Sequence, residues 1–394
     1  MTIAEAPANP LAALFDPEVR ADPYPLYGML RAQGTLVTPD GTLAAVGSYQ
    51  DCRAALHNPV MSSRPNLEPP PPDEPQSFLF LDPPDHTRLR TLVTKAFTPR
   101  AVTGLAPRIS EIVDAALDVA LDRGGMELVE ELAAPLPILI ISEWLGVPIE
   151  DGRLLRGWSE ACTRALDPLG AADEPTVLAS QQASAELAAY FGALIADRSR
   201  QEGSDLLSRL LHVEERGDKL TTGELLATIG SLLIAGHETT TSLIANGILA
   251  LARNPAELSR LRADPSLAGR AVEETLRFDA PVQLTHRTAA EDTTVGGVDV
   301  PRGCLVALML AAANRDPELH RDPDVFSLER NDTTHLAFSG GHHYCVGAGL
   351  ARLEASIVFR RFAERVARVE VDESSLRYRP HINLRGPARL SLAF

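Results

Sequence analysis

Apolar side chains recur every three or four residues along much of this chain, which is the spacing of an amphipathic helix. The pattern is clear after residue 347, where the apolar positions are Leu350, Leu353, Ile357, Val358, Phe362 and Val366. The same spacing predicts five long helices, over residues 99–123, 174–200, 222–252, 266–278 and 347–369. Helix is therefore the main secondary structure that the pattern predicts.

Alternation of apolar and polar residues, the pattern of a half-buried strand, is confined to short stretches. Residues Leu43–Val46 flank an early turn, and residues 283–310 alternate around two turn sequences, Gly296-Gly297 and Pro301-Arg302-Gly303. The two patterns together predict a mainly α fold class with a small β region.

The helix predicted for residues 222–252 has clear ends and little charge. Thr221 and Glu224 form a capping-box pattern at its start, and Asn254-Pro255 marks its end. Roughly thirty residues at 1.5 Å each would span about 45 Å. Beyond the first turn its ionisable residues are His237 and Glu238, which indicates a buried helix. A transmembrane helix is disfavoured because small and polar residues fill its centre.

The chain has 394 residues, of which 45% are hydrophobic, so it can bury a large core. It contains no internal repeat and no linker long enough to separate two domains, so we expect one domain over residues 1–394. The proline-rich stretch at residues 65–75 has two interpretations: a stiff solvated loop, or a wall above an active site. Local composition favours the loop, and the apolar residues 78–81 that follow add weight to the second interpretation.

The formal net charge of −16 disfavours nucleic acid and anionic membranes as partners, since both repel a net anion. No apolar run near the start resembles a signal sequence, so we expect no membrane anchor. Four cysteines, at positions 52, 162, 304 and 345, show neither paired nor CxxC spacing. This spacing argues against disulfides and zinc and fits a cytoplasmic location.

Cys345 follows a glycine-rich approach, residues 338–344, and precedes the start of a predicted helix. Helix N-terminal amides favour a thiolate over a thiol. Gly340 and Gly341 would let the backbone approach a flat cofactor, and Gly347 removes a side chain beneath it. Such a segment can present one axial sulfur to a heme iron. The alternative is a buried free cysteine that packs as a small hydrophobic residue.

This segment resembles the heme-binding signature of the cytochrome P-450 family, of the soluble bacterial type. It departs from that signature at Ser339, where glycine is frequent, and at Gly349, where alanine is more common. The matching positions are Phe338, Gly341, His343, Cys345 and Gly347. The resemblance implies a cytochrome P-450 fold, heme b as the cofactor and Cys345 as the axial iron ligand.

The centre of the long helix also resembles this family, whose helix carries Ala/Gly-Gly-x-Asp/Glu-Thr over the heme. Residues 235–239 match that pattern. By resemblance, Thr239 would steady dioxygen and Glu238 would relay protons to it. A mid-helix threonine tends to bond back to a carbonyl one turn earlier and bend the helix. The alternative is that Glu238 only pairs with an arginine.

Two further sets of residues match family positions. Glu274 and Arg277, with Arg330 upstream of the cysteine loop, would form a structural trio that holds this loop. Heme carries two propionates, which need cationic partners in a buried site. The residues that match propionate-binding positions are His86 and Arg90, four apart on one helical face, together with Arg287 and His343.

The resemblance implies a monooxygenase that inserts one oxygen atom from O₂ into a small lipophilic substrate. We expect a monomer with no fused reductase, so electrons would come from a separate ferredoxin and ferredoxin reductase. A basic docking surface is expected at Lys95, Arg100, Arg352, Arg360 and Arg361. Candidate pocket walls are residues 69–81, 166–176, 232–239, 282–285 and 382–384.

Three other functions are open: a peroxygenase or a non-oxidative enzyme on the same fold, and a heme-based sensor. A sensor would not need the Glu238–Thr239 pair, and the other two commonly lose it. The pair therefore favours the monooxygenase.

Overall fold

The computed structural model describes residues 13–14, 16–64, 67–68, 76–165, 167, 173–198, 203, 205–215 and 217–394. Within these residues the helices are α1 (Tyr24–Ala32), α2 (Tyr49–His57), α3 (Asp85–Ala96), α4 (Pro99–Thr103), α5 (Ala106–Arg123), α6 (Pro135–Trp144), α7 (Gly152–Arg164), α8 (Glu174–Arg198), α9 (Leu206–His212), α10 (Thr222–Arg253), α11 (Pro255–Ala263), α12 (Ala268–Phe278), α13 (Leu310–Ala313) and α14 (Ala348–Arg365).

The strands are short, as the sequence predicts. They are β1 (Leu36–Val37), β2 (Leu43–Val46), β3 (Met61–Ser62), β4 (Gly125–Glu127), β5 (Glu214–Glu215), β6 (Asp218–Lys219), β7 (Thr285–Ala289), β8 (Thr293–Val295), β9 (Val298–Val300), β10 (Leu305–Leu308), β11 (Glu370–Val371), β12 (Arg377–Tyr378), β13 (Pro387–Arg389) and β14 (Ser391–Ala393). The mainly α fold class with a small β region is confirmed.

The central helix α10 begins and ends close to the predicted positions. The Thr221 hydroxyl accepts from the Glu224 amide (3.2 Å), and the Glu224 carboxylate accepts from the Thr221 amide (2.8 Å), which completes the capping box. Most of the helix from Leu243 onward is buried. Although residues at its centre are polar, α10 is α-helical throughout. None of the helices in the described parts of the chain combines the length and the hydropathy of a membrane span.

A close approach between α10 and α14 fixes the centre of the molecule. Gly247 on α10 faces the Phe359 ring on α14, and a Cβ at this glycine would overlap that ring. Side chains of these two helices and of their neighbours form one large apolar cluster, while smaller clusters lie around the sheet and the first helix. The cysteine loop lies directly before α14, so the close packing of α14 on α10 fixes where that loop ends.

The largest sheet has the strand order β1-β2-β10-β7-β3. Strand β10 is parallel to β2 and antiparallel to β7, and Val306 lies opposite Arg287. The predicted turn at Gly296 and Gly297 joins β8 to β9, with φ values of 58° and 79° that favour glycine. This sheet therefore places Arg287 at a fixed position beside the helical body.

Several predicted helices differ from the observed ones, and the helix predicted for residues 266–278 begins at Ala268. The helix predicted for residues 99–123 is two helices, α4 and α5, with Pro107 in the first turn of the second. Proline lacks an amide donor and its ring clashes with a carbonyl one turn earlier, so it starts a helix rather than continuing one. The last helix stops at Arg365 because Val366 is extended.

Candidate active site

A cavity of about 250 Å³ lies between α10 and the loop that leads into α14. Its walls are mainly apolar, with Phe78, Leu79, Leu232, Ala235, Val282, Phe338 and Leu350 among the lining residues. The predicted walls at residues 232–239 and 282–285 are present. Residues Ile382 and Leu384 instead line a small separate cavity. The prolines at 65, 69–72 and 75 and most of residues 166–172 lie outside the described residues.

Cys345 lies at the floor of this cavity. Its amide donates to the Phe338 carbonyl (2.9 Å), which closes the loop, and its thiol borders the cavity. The residue is exposed where it lines the cavity. Burial raises the pKa of the thiol, while the amides of Gly347 and Ala348 oppose that rise. The amides therefore lower the pKa of the thiol, as the sequence predicts, but burial raises this pKa by more.

Basic side chains gather at one edge of the cavity, where Arg90 and His343 line it and His86 and Arg287 lie behind them. His86 and His343 have ring centroids 4.2 Å apart, and the guanidinium of Arg90 contacts the Tyr344 carbonyl. Arg287 is 6% exposed and donates to the His286 carbonyl (2.7 Å). The structure thus brings together the four residues predicted to bind propionates.

These groups have few anionic partners within the described structure. Both ring nitrogens of His86 are buried without a hydrogen bond. Burial lowers the pKa of His86 to about 4 and that of Arg287 to about 10. Burial, followed by the charge of Arg287, lowers the pKa of His343 to about 2. Two carboxylates placed here would accept hydrogen bonds from unpartnered donors and compensate the buried charge, so these residues fit the propionates of heme.

Asp82, His342 and His343 could offer three metal-ligand atoms within 4.8 Å of one another. The charge of Arg287 lowers the pKa of both histidines, after the effect of burial. The same positive field would repel a divalent cation. This edge of the cavity therefore favours an anion. His342 was not predicted, although it directly precedes the predicted His343.

Thr239 and Glu238 are neighbours on α10 but occupy different environments. Thr239 lines the cavity, and its hydroxyl donates to the Ala235 carbonyl one turn earlier (2.6 Å). Glu238 is 1% exposed, is not among the residues that line the cavity, and forms an ion pair with Arg379. The structure brings Thr239 to the same cavity as Cys345 and directs Glu238 towards the arginine.

Glu274, Arg277 and Arg330 meet in one buried ionic cluster. Arg277 donates two hydrogen bonds to Glu274 (2.8 and 2.9 Å), and Arg330 donates a third (3.2 Å). Arg277 also donates to the Pro323 carbonyl (2.7 Å), and Arg330 donates to the Arg321 carbonyl (2.7 Å). The cluster ties α12 to the segment that leads towards the cysteine loop.

Sequence reasoning missed a second cluster that holds this loop. Arg352 donates to Glu273 (2.7 and 3.0 Å) and to the Tyr344 hydroxyl (3.0 Å), and its guanidinium lies 4.5 Å from the Phe338 ring centre. Burial opposes ionisation of Glu273, but hydrogen bonds from His335 and Arg352 hold its pKa at about 2. The sequence feature that could have indicated this cluster is Glu273, the first acid of the Glu-Glu pair on α12.

Known proteins share this architecture. Residues 180–367 match the family described as Cytochrome P450. The cytochrome P450 monooxygenase PikC of Streptomyces venezuelae is 42% identical over 400 residues, covering 98% of this chain and 94% of that protein. Ligand-free CYP164A2 of Mycobacterium smegmatis has a TM-score of 0.90 and 43% identity, covering 98% of this chain and 99% of that chain. P450BioI, in complex with an acyl carrier protein ligated to hexadec-9Z-enoic acid, has a TM-score of 0.89 and 36% identity, covering 96% and 99%.

The chain belongs to the cytochrome P450 family. It is an oxidoreductase of the monooxygenase class, and the cofactor of this family is heme b held by a cysteine thiolate.

Proposed function

We propose that this protein inserts one oxygen atom from O₂ into a small lipophilic molecule, with Cys345 as the axial ligand. One observation carries the proposal: a thiol and a mid-helix threonine line the same apolar cavity, which has a basic edge. Bound heme would supply the oxygen-activating chemistry at this position.

The carbon monoxide spectrum of the reduced protein tests the ligand. Thiolate ligation gives a strongly red-shifted Soret band, so wild type should show that band. Cys345→His should show an unshifted band, because an imidazole replaces the sulfur. Cys162→Ala is the matched control, since Cys162 is a buried cysteine elsewhere. An unshifted band from intact wild type would refute the assignment.

The basic edge would hold the two propionates through His86, Arg90, Arg287 and His343. Charge-assisted hydrogen bonds to carboxylates are strong when both partners are desolvated. Arg88, which lies between His86 and Arg90 in sequence, instead pairs with Asp218 and Glu224. His86 and Arg90 thus lie beside the cysteine loop, whereas Arg88 between them faces the β5–β6 hairpin.

Thr239 and Glu238 would organise proton delivery. The Thr239 hydroxyl now donates to Ala235, so it would turn or share its proton to interact with dioxygen. The Glu238 carboxylate would have to leave Arg379 before it could carry a proton into the cavity. Apolar walls around the site exclude bulk water, which keeps proton delivery under the control of these residues. Retention of both residues supports the monooxygenase over a peroxygenase or a non-oxidative enzyme.

The mainly apolar walls suit a lipophilic substrate, and the P450BioI complex adds a specific alternative, an acyl chain bound to a carrier protein. In that neighbour the fatty acid is carried on an acyl carrier protein. Substrate-induced spectral shifts would distinguish a free substrate from a carrier-bound one. The compounds to compare are free fatty acids, carrier-bound acyl chains and a panel of other lipophilic molecules. A shift with carrier-bound chains alone would favour the tethered substrate.

We also propose a ferredoxin-type electron donor, but ion pairs modify the predicted docking surface. Lys95 pairs with Glu215, Arg352 with Glu273, and Arg361 with both Asp114 and Glu364. Arg100 on α4 is exposed. Arg100 is therefore the best position at which to test electrostatic steering. A monomeric, single-domain protein in the cytoplasm remains the prediction.

A further inference from the structure

The end of α2 lies directly against the cysteine loop. Gly340 is close to the ring of His57, where an added Cβ would be 3.1 Å from His57 Cε1. Gly341 has a φ of 63°, and a Cβ there would overlap the Leu56 carbonyl oxygen. The two glycines thus let the loop backbone approach the last turn of α2.

The His57 ring joins these two segments through both of its nitrogens. Nδ1 lies 2.8 Å from the Arg53 carbonyl oxygen, and the Gly341 amide donates to Nε2 (3.2 Å). A carbonyl oxygen only accepts hydrogen bonds, so Nδ1 carries the proton. Nε2 is then the acceptor that the Gly341 amide requires. Both contacts are consistent with one neutral tautomer.

Hydrogen bonds continue from Gly341 to Cys345. The Gly341 carbonyl accepts from the Tyr344 amide (3.2 Å), and the Cys345 amide donates to the Phe338 carbonyl (2.9 Å). Gly341 is the first residue of the 3₁₀ turn Gly341–His343, which carries the imidazole expected to contact a propionate. A change at the Gly341 amide would therefore alter both the position of the sulfur and the basic edge of the cavity.

We propose that His57 is a positioning residue that holds the cysteine loop in the geometry required for ligation. This inference rests on the proposed role of Cys345. His57 and Gly341 are 284 positions apart, so no local pattern connects them. The bond fixes a backbone amide at the start of the turn, whereas the Arg352 cluster holds the side chains of Phe338 and Tyr344. The loop is thus held from two sides.

Two variants separate the hydrogen bond from simple packing. His57→Leu removes the acceptor but keeps an apolar side chain of similar reach. His57→Gln can place its amide oxygen near the position of Nε2 and so retain the acceptor. Gln50→Leu is the matched control, because Gln50 is an exposed residue of the same helix. His57 is itself exposed, so neither replacement opens a cavity in the core.

Three measurements are needed: the rate of heme transfer to an excess of apomyoglobin, the fraction of red-shifted band in the carbon monoxide complex, and hydrogen exchange of the Gly341 amide. Loss of one hydrogen bond predicts roughly fivefold to tenfold faster transfer for His57→Leu, with a growing unshifted band and faster exchange at Gly341. His57→Gln should return all three towards wild type, and Gln50→Leu should leave them unchanged.

The inference about His57 would be overturned if His57→Leu kept the wild-type heme transfer, spectrum and amide exchange. It would also be overturned if His57→Leu and His57→Gln changed these three measurements equally. Neither result would affect the assignment of Cys345. An unshifted band in wild type would overturn Cys345 ligation and this inference with it. Hydrogen exchange also reports on the contact in the heme-free protein. An unprotected Gly341 amide there, in otherwise folded wild type, would overturn the His57 contact directly.

Discussion

Glu238 and Arg379 form a buried ion pair although they are 141 positions apart in the chain. Glu238 lies on α10 directly before Thr239, and Arg379 follows β12 near the C-terminal end. Both side chains are largely buried. The acidic residue of the proposed relay therefore faces the C-terminal segment and not the cavity.

Substitution of Arg379 should show how much this ion pair contributes to the free energy of unfolding. Arg379→Met leaves a carboxylate buried without its partner, which should lower the free energy of unfolding by about 3–5 kcal/mol. Glu238→Gln in the same chain should recover much of the loss, because it removes the uncompensated charge. Denaturant unfolding of both single variants and the double variant measures this coupling. Additive losses would show that the two side chains do not interact.

Thr239→Ala should separate oxygen consumption from product formation. The variant loses the hydroxyl that would organise protons beside dioxygen, so product formed per NAD(P)H should fall roughly tenfold or more. Peroxide should rise correspondingly, while heme content stays unchanged. Thr239→Ser keeps the hydroxyl and serves as the control. Unchanged coupling in Thr239→Ala would assign the relay to another group.

The Glu274 cluster should be far more sensitive to substitution than an exposed ion pair. Arg277→Met should destabilise the protein by about 3–5 kcal/mol, because Glu274 is fully buried and loses its bidentate partner. Arg368→Met removes an exposed pair with Glu370 and should change stability by less than about 1 kcal/mol. Unfolding midpoints and heme retention measure both effects. Equal effects of the two substitutions would contradict this structural role.

Glu354 on α14 should make stability fall as pH rises. Burial raises the pKa of this carboxyl to about 8, from 4.5 in the unfolded chain. Between these values the folded state keeps the proton and the unfolded state loses it, so unfolding becomes easier by up to about 1.4 kcal/mol per pH unit. Glu354→Gln should flatten this slope between pH 5 and 8. Glu364→Gln, at an exposed position of the same helix, should leave it intact, and a steep slope in Glu354→Gln would refute the assignment.

Electron transfer from a ferredoxin should respond to charge at Arg100. Arg100→Glu should slow first-electron transfer and reduce its dependence on ionic strength, because salt screens steering between exposed charges. Arg352→Glu is a less direct test, since Arg352 also holds Glu273 and Tyr344. Stopped-flow rates over a salt series provide the measurement. Rates insensitive to Arg100→Glu and to salt would place docking on another surface.

Local sequence determined the elements whose causes lie within a few residues. The capping box at Thr221 and Glu224 predicts where α10 begins, and the spacing after residue 347 predicts α14. The signature from Phe338 to Gly347 identified the cysteine loop. Spacing of three or four residues also predicted that Arg277 would reach Glu274 and that His86 and Arg90 would share a face. Such patterns are readable because helix geometry brings those positions together without other contacts.

Only the tertiary structure decided which distant groups meet. His57 reaches Gly341, Arg352 reaches Glu273, and Arg379 reaches Glu238, each across 79 or more positions. The amphipathic patterns predict that α10 and α14 are buried but not which polar side chains approach them. That choice depends on how helices and loops pack, because a buried charge or amide takes the partner that the fold places beside it. The direction of Glu238, away from the cavity and towards Arg379, is decided in this way.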